Sequence, residues 1–149
     1  MTENLSSYKY KNIIPIRFSD IDAYGNVSNT IYLTYFEITR LKYWREIIGW
    51  DFDNAGVILG RSEINYLKPI TIDDQIACYM RTSRIGNSSF DVMYVLVKIS
   101  ADGEEEICTT GKSVCISYDY KANRSIPIPT RERQRMIEYD EPGLITNTN

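Results

Sequence analysis

The stretch TIYLTYFEITRLKYW opens a run from residue 30 to about residue 48 that has one long helix written into it. Tyr32, Tyr35, Phe36, Thr39 and Tyr43 recur at steps of three and four, and Ile31, Ile38, Leu41 and Ile48 follow neighbouring tracks. Apolar residues on several adjacent tracks make a wide apolar surface, so this helix has to be covered on most sides. Ser28 or Asn29 stands where an N-cap belongs, and Gly49 is a natural C-terminal stop.

The remaining segments are strand-like. Residues 10–18, YKNIIPIRF, alternate with Ile14, Ile16 and Phe18 on one side, although Pro15 marks an edge or a strand entrance. Four more strands are expected at about 57–68, 75–86, 88–100 and 105–119. FDVMYVLVKI is β-branched and aromatic, as a central strand is. A Gly-Asn turn in RIGNSS and an Asp-Gly turn in SADGEEE join the last three as hairpins. After IPIP, residues 130–139 read as a short charged helix. Residues 1–9 and the tail EPGLITNTN read as loose polar ends. The order strand, long helix, four antiparallel strands makes an α+β chain with a helix packed on a single sheet. Such a sheet leaves a face and edges open, so association into a dimer is expected.

Several functions are set aside by composition. At 149 residues the chain is one domain with room for a sizeable core. Its net charge of −3 gives non-specific nucleic-acid binding no overall support. No run of about 18 apolar residues predicts a membrane span, and MTENLSSYKYKN has no apolar region of a secretory signal. Together these place the expectation in the cytoplasm. Cys78, Cys108 and Cys115 are odd in number and lack CxxC spacing, so they are read as buried hydrophobes, not as a disulfide or zinc framework. The chain contains no histidine, which rules out an internal Ser-His-Asp or Cys-His arrangement and a histidine-based metal site. A general base is then expected to be a carboxylate.

The loop before the helix supplies two candidates. In SDIDAYGNVSNT, Asp20 and Asp22 precede Gly25, Asn26, Ser28 and Asn29. As turn residues alone, both acids read as Asx-type loop stabilisers.

IRFSDIDAYGNVSNTIYLTYFE, however, resembles the first motif of the hotdog-fold thioesterases of the 4-hydroxybenzoyl-CoA thioesterase type, in which R-(F/Y)-x-D-x-D-x-x-G precedes the central helix. Arg17, Phe18, Asp20, Asp22 and Gly25 fill those places, and YLTYFE is similar to the start of the family's helix. SEINYLKPITIDDQI, with Tyr66, Pro69 and Asp74, RIGNSSFDVMYVL with its G-x-x-S, and TTGKSVCISYDYKANRSIPIP continue the likeness over about residues 10–138. The resemblance implies one hotdog domain over residues 1–149: a long central helix wrapped by a five-stranded antiparallel sheet, with a short C-terminal helix.

It also implies hydrolysis of an acyl-CoA thioester to a free acid and coenzyme A, with Asp22 as nucleophile or general base. No separate cofactor is expected, coenzyme A being part of the substrate, and no metal. The assembly implied is a homodimer with two interface sites, or a homotetramer. A carboxylate suffices because a thiolate leaves readily. The backbone N–H groups of Asn29 and Thr30, at the helix start, are the candidates for holding the carbonyl oxyanion. Many relatives read G-H-V-N-N after the Asp, and here Asn26 replaces the His, so any histidine-assisted step is lost. Asp20 is assigned a structural role, bonding loop backbone or Arg17. Candidate substrate contacts are Asn26, Tyr32, Glu63 and Asn65; Lys68, Arg84 and Lys112 for the nucleotide phosphates; and Ser88 and Ser89 for the pantetheine arm. Alternatives are a thioesterase acting on acyl carrier protein and a non-catalytic acyl-binding protein of the same fold.

Overall fold

A computed structural model describes residues 4–148 of the chain. Strand β1 spans Tyr10–Ile14; helix α1 spans Ile31–Tyr43 and runs on through a π-helical turn, Trp44–Ile48, to Gly49 in the left-handed conformation (φ 65°). Four long strands follow: β2 (Gly56–Tyr66), β3 (Gln75–Ile85), β4 (Ser89–Ile99) and β5 (Glu105–Asp119). Then come β6 (Arg124–Ser125), helix α2 (Thr130–Asp140) and β7 (Leu144–Ile145). The sheet order is β1-β3-β4-β5-β2, antiparallel throughout, with β6 pairing β5 and β7 pairing β3 in parallel. This is the helix-on-a-sheet arrangement that the resemblance implies, with two short strands added to the expected five.

Aromatic packing seats the helix. The Phe36 ring stacks on that of Tyr94 from β4, with centroids 4.2 Å apart and planes 7° apart. It lies so close to β5 that a Cβ on Gly111 would sit 2.4 Å from it, so only glycine fits there. Tyr43 meets Tyr10 edge to face at 5.4 Å, and Trp50 stacks on Phe90 at 5.8 Å. Helix α2 closes the far end. Arg135 and Arg131 donate to the carbonyls of Ile48 (2.6 Å) and Gly49 (2.7 Å), satisfying carbonyls that the end of α1 leaves open. Asp140 accepts from the Tyr43 phenol and from the Thr82 amide. The three cysteines are buried, and burial pushes the thiols of Cys78 and Cys115 up to about 12 and that of Cys108 to about 11.

The structure corrects four expectations. The first strand ends at Ile14, because Pro15 lacks the N–H to extend the ladder; Phe18 is 89% exposed on a 3₁₀ turn, Phe18–Asp20. The helix is covered on one side, not most: Leu33 and Ile38 are exposed, while Tyr32, Tyr35, Phe36, Thr39, Arg40 and Tyr43 are buried. The start is not loose over its described part, since Leu5 and Tyr8 pack on Ala77, Val95 and Val97 on the face of the sheet away from the helix; residues 1–3 lie outside the described residues. Nor is the tail loose. Leu144 and Ile145 pair with Arg84 and Ile85, and Arg133 holds the Thr146 carbonyl at 2.9 Å; Asn149 lies outside the described residues.

Candidate active site

The loop between β1 and α1 is tied at both ends. Asp20 is fully buried, with its carboxylate accepting from the Arg17 amide (3.0 Å), the Arg17 guanidinium (2.8 and 3.0 Å) and the Tyr35 phenol (2.7 Å). Burial alone would raise this carboxyl, but the Arg17 amide, the guanidinium and the phenol outweigh it and hold the group below its ordinary value. The Asp20 carbonyl in turn accepts from the Ser28 amide at 2.9 Å. Asp20 is therefore the peg on which the loop hangs.

Asp22 is exposed and differently held. Its Oδ1 accepts from the Tyr24 amide (2.9 Å) and the Asn26 amide (3.1 Å), an Asx-type turn closed by Gly25 at φ 85°. Among the described residues its Oδ2 accepts no hydrogen bond. The loop runs on beside the segment before β3: Asn26 bridges to Thr71, and the Val27 amide donates to the Ile70 carbonyl at 2.7 Å.

The helix start differs from expectation. Neither Ser28 nor Asn29 caps it; Thr30 occupies the cap position in helical conformation and makes no side-chain cap bond. The Ser28 hydroxyl is instead 3.2 Å from that of Thr30. Hydrogen bonds of the loop engage the amides of Asp22, Val27, Ser28 and Ile31, and among the described residues include none from Asn29 or Thr30. Two N–H groups at the positive end of the helix dipole are thus left without a protein acceptor.

Asp22 and Asn29 share one open cleft of ≈ 380 Å³, and Thr30 is not among the residues that line it. Asp22, Asn26, Asn29, Tyr32 and Lys68, all singled out in the sequence, line it. So do Tyr66, Leu67 and Pro69 at the end of β2. Tyr66 donates to the Asn29 carbonyl at 2.8 Å and meets Tyr32 edge to face at 4.9 Å. Burial pushes the Tyr32 phenol up to about 12. Lys68 pairs with Glu106 at 2.8 Å on the exposed rim. Sequence reasoning noted Tyr66 as a motif position but gave it no role. The signal was an aromatic residue at a strand end just before Pro69, which stops the ladder.

The other candidates lie elsewhere in the chain. Glu63 pairs with Arg61 at 2.6 Å, and Asn65 donates to Thr110 at 3.1 Å, both on the exposed β2. Arg84 reaches Ser89 (2.9 Å) and Asp91 (3.0 Å), and Lys112 reaches Asp91 (3.3 Å). Ser88 and Ser89 are buried at the β3–β4 turn. The turn stands at the opposite end of β3 from the cleft, about 33 Å away along an 11-residue strand. One chain does not bring these groups to Asp22. Among the described residues no three His, Cys, Asp or Glu side chains cluster as a metal site, and no helix is long and apolar enough to cross a membrane.

The chain matches the thioesterase-like superfamily over residues 16–136. A thioesterase from Thermus thermophilus, solved in complex with coenzyme A and Zn, is 26% identical, with a TM-score of 0.74 over 87% of this chain and 98% of that one. A 4-hydroxybenzoyl-CoA thioesterase variant complexed with 4-hydroxybenzoyl-CoA shares the fold at a TM-score of 0.73 and 13% identity, over 85% of this chain and 97% of that one. YsmA of Bacillus subtilis is 22% identical over 133 residues, 89% of this chain and 88% of the relative. The extent of the family match, together with the helix seated on its antiparallel sheet, identifies the chain as a hotdog-fold member of the thioesterase-like superfamily.

Proposed function

We propose that the protein is an acyl-CoA thioesterase whose catalytic carboxylate is Asp22. The observation that carries this reading is the coincidence, in one cleft, of an exposed carboxylate with one uncommitted oxygen and Asn29, the residue just before the uncapped helix start. In the proposed reaction Asp22 attacks the thioester carbonyl, or takes a proton from the water that does. The amides of Asn29 and Thr30 hold the oxyanion, and the carbon–sulfur bond breaks to release coenzyme A thiolate. Water supplies the oxygen of the free acid. The thiolate needs little acid assistance to leave, so Asn26, which stands where many relatives carry His, removes no indispensable step.

The Thermus relative's coenzyme A complex supports a coenzyme A thioester as the substrate class. Lys68, at the rim, suits the nucleotide phosphates; its pair with Glu106 is solvent-exposed and weak enough to yield. We further propose a homodimer formed along β2, whose outer edge is unpaired among the described residues and whose residues 59–63 are exposed. A twofold axis there brings the β3–β4 turn of the second copy, with Arg84, Ser88 and Ser89, toward the cleft of the first.

The test is thiol release from a panel of acyl-CoA thioesters by wild type and Asp22→Asn. A carboxylate that attacks or activates water contributes roughly 10²–10⁴-fold, so the variant should lose at least about a hundredfold in kcat. A loss of only a few-fold removes Asp22 as the catalyst. No hydrolysis of any thioester by wild type leaves an acyl-binding protein.

A further inference from the structure

A second cavity, ≈ 370 Å³, opens between α1 and the start of β2. Its walls are apolar and aromatic: Leu41 and Trp44 from the helix end, Phe52 from the following loop, Val57 and Leu59 from β2, and Tyr120 after β5. Into this apolar setting the helix brings Arg40 and Glu37. Arg40 is only 7% exposed, and its guanidinium is held by two long contacts, 3.5 Å to the Tyr94 phenol and 3.5 Å to a Glu37 carboxylate whose side chain is 61% exposed. A guanidinium carries five donors, and a buried charge is costly unless well paired. The indole N–H of Trp44 is also buried and finds no acceptor among the described residues. Arg40 is thus a loosely paired, buried cation in the cavity wall, with Glu37 as its carboxylate partner among the described residues.

Leu59, beside this cavity, and Tyr66, beside Asp22, are seven residues apart on β2, or about 23 Å. Within one chain the two cavities are separate. Two copies paired antiparallel about the middle of β2 exchange strand ends, so each Asp22 cleft adjoins the partner's Arg40 cavity.

We propose that this cavity receives the far end of the acyl group and that Arg40, supplied by the second copy, binds a carboxylate carried there. The substrate class is then an ω-carboxyacyl thioester: an apolar body between Trp44, Phe52 and Tyr120, ending in an anion. A planar carboxylate matches the guanidinium fork in a way that no methyl terminus does, and it completes the pairing that Glu37 supplies only in part. The inference rests on the thioesterase reading for the reaction, but not for the binding.

Suberoyl-CoA and octanoyl-CoA have equal chain length and differ in the terminal carboxylate. Wild type is expected to favour suberoyl-CoA by roughly tenfold or more in kcat/KM, the scale of a charge-assisted hydrogen bond. Arg40→Met should lose at least about ten times more rate on suberoyl-CoA than on octanoyl-CoA, with Arg40→Lys intermediate because it keeps the charge and loses the fork. Free suberate should raise the Tm of wild type more than octanoate does, and the difference should vanish in Arg40→Met. Mixing Asp22→Asn with Arg40→Met chains should recover suberoyl-CoA hydrolysis, because one site of the mixed dimer combines the intact residue of each. Equal rates of wild type on the two thioesters, or an equal loss on both in Arg40→Met, overturns carboxylate recognition. Absence of recovery on mixing overturns the shared site. If neither thioester is hydrolysed while suberate still stabilises through Arg40, the thioesterase reading fails and the cavity assignment stands.

Discussion

Tyr66 donates its phenolic hydrogen to the backbone carbonyl of Asn29 at 2.8 Å, joining the end of β2 to the last residues before α1. The bond spans 37 positions of sequence and fixes the Asn29–Thr30 peptide, which carries the Thr30 amide, one of the two proposed oxyanion donors. Tyr66→Phe keeps the ring against Tyr32 and deletes only this bond. A neutral hydrogen bond contributes about 0.5–1.5 kcal/mol to stability, so Tm should fall by up to a few degrees and kcat on a good thioester by no more than about 2- to 12-fold. Steady-state kinetics beside a thermal melt checks this, and an unchanged kcat would show that the loop holds its position without the bond.

Asp20 and Asp22 stand two residues apart and should behave as opposites. Asp20→Asn disturbs a buried network of three donors and should destabilise by about 1–3 kcal/mol in urea unfolding. Asp22→Asn changes an exposed carboxylate and should leave stability within about 0.5 kcal/mol while removing turnover.

The pH dependence of stability carries the mark of Asp20. Its carboxyl lies below the ordinary value of 3.8 in the folded chain, so ionisation favours folding. The contribution is complete above the ordinary value and is lost as pH falls through the depressed one. Acid unfolding of wild type followed by circular dichroism should show a component below pH 3.8, and Asp20→Asn should lack that component. A component that persists in the variant would assign it to another carboxylate.

Gly111 has no room for a side chain. A Cβ there would stand 2.4 and 2.6 Å from the Phe36 ring. Gly111→Ala should cost about 1–3 kcal/mol by overpacking. Combining it with Phe36→Leu should recover part of the loss, a coupling that urea midpoints of the two single variants and the double variant will measure.

The long elements were readable because their signals are local. The three- and four-residue steps of α1, the β-branched run of β4 and the glycine-bearing turns are each complete within a few neighbours, and all are found in the structure. The division of labour between Asp20 and Asp22 was not readable from residue type. Both are loop aspartates; only the motif separated them, and of the two residues that hold the Asp20 carboxylate, Arg17 and Tyr35, the second is fifteen positions away. The termini were misjudged because polar composition hides single anchors such as Tyr8 and Ile145, whose neighbours come from distant strands. The Arg40 cavity escaped for the same reason: its walls come from a helix, strand β2 and loops as far along as Tyr120, and no short window contains them.

Trp44 and Trp50 are the only tryptophans in the chain, and their ring centroids lie 5.8 Å apart. Both also contact Phe90, and Trp44 forms part of the cavity wall beside Arg40. All indole emission thus arises from one neighbourhood, at the opposite end of β2 from Asp22. The protein carries a built-in optical probe for this cavity, and a ligand that enters beside Trp44 reports itself by a spectral shift without any label.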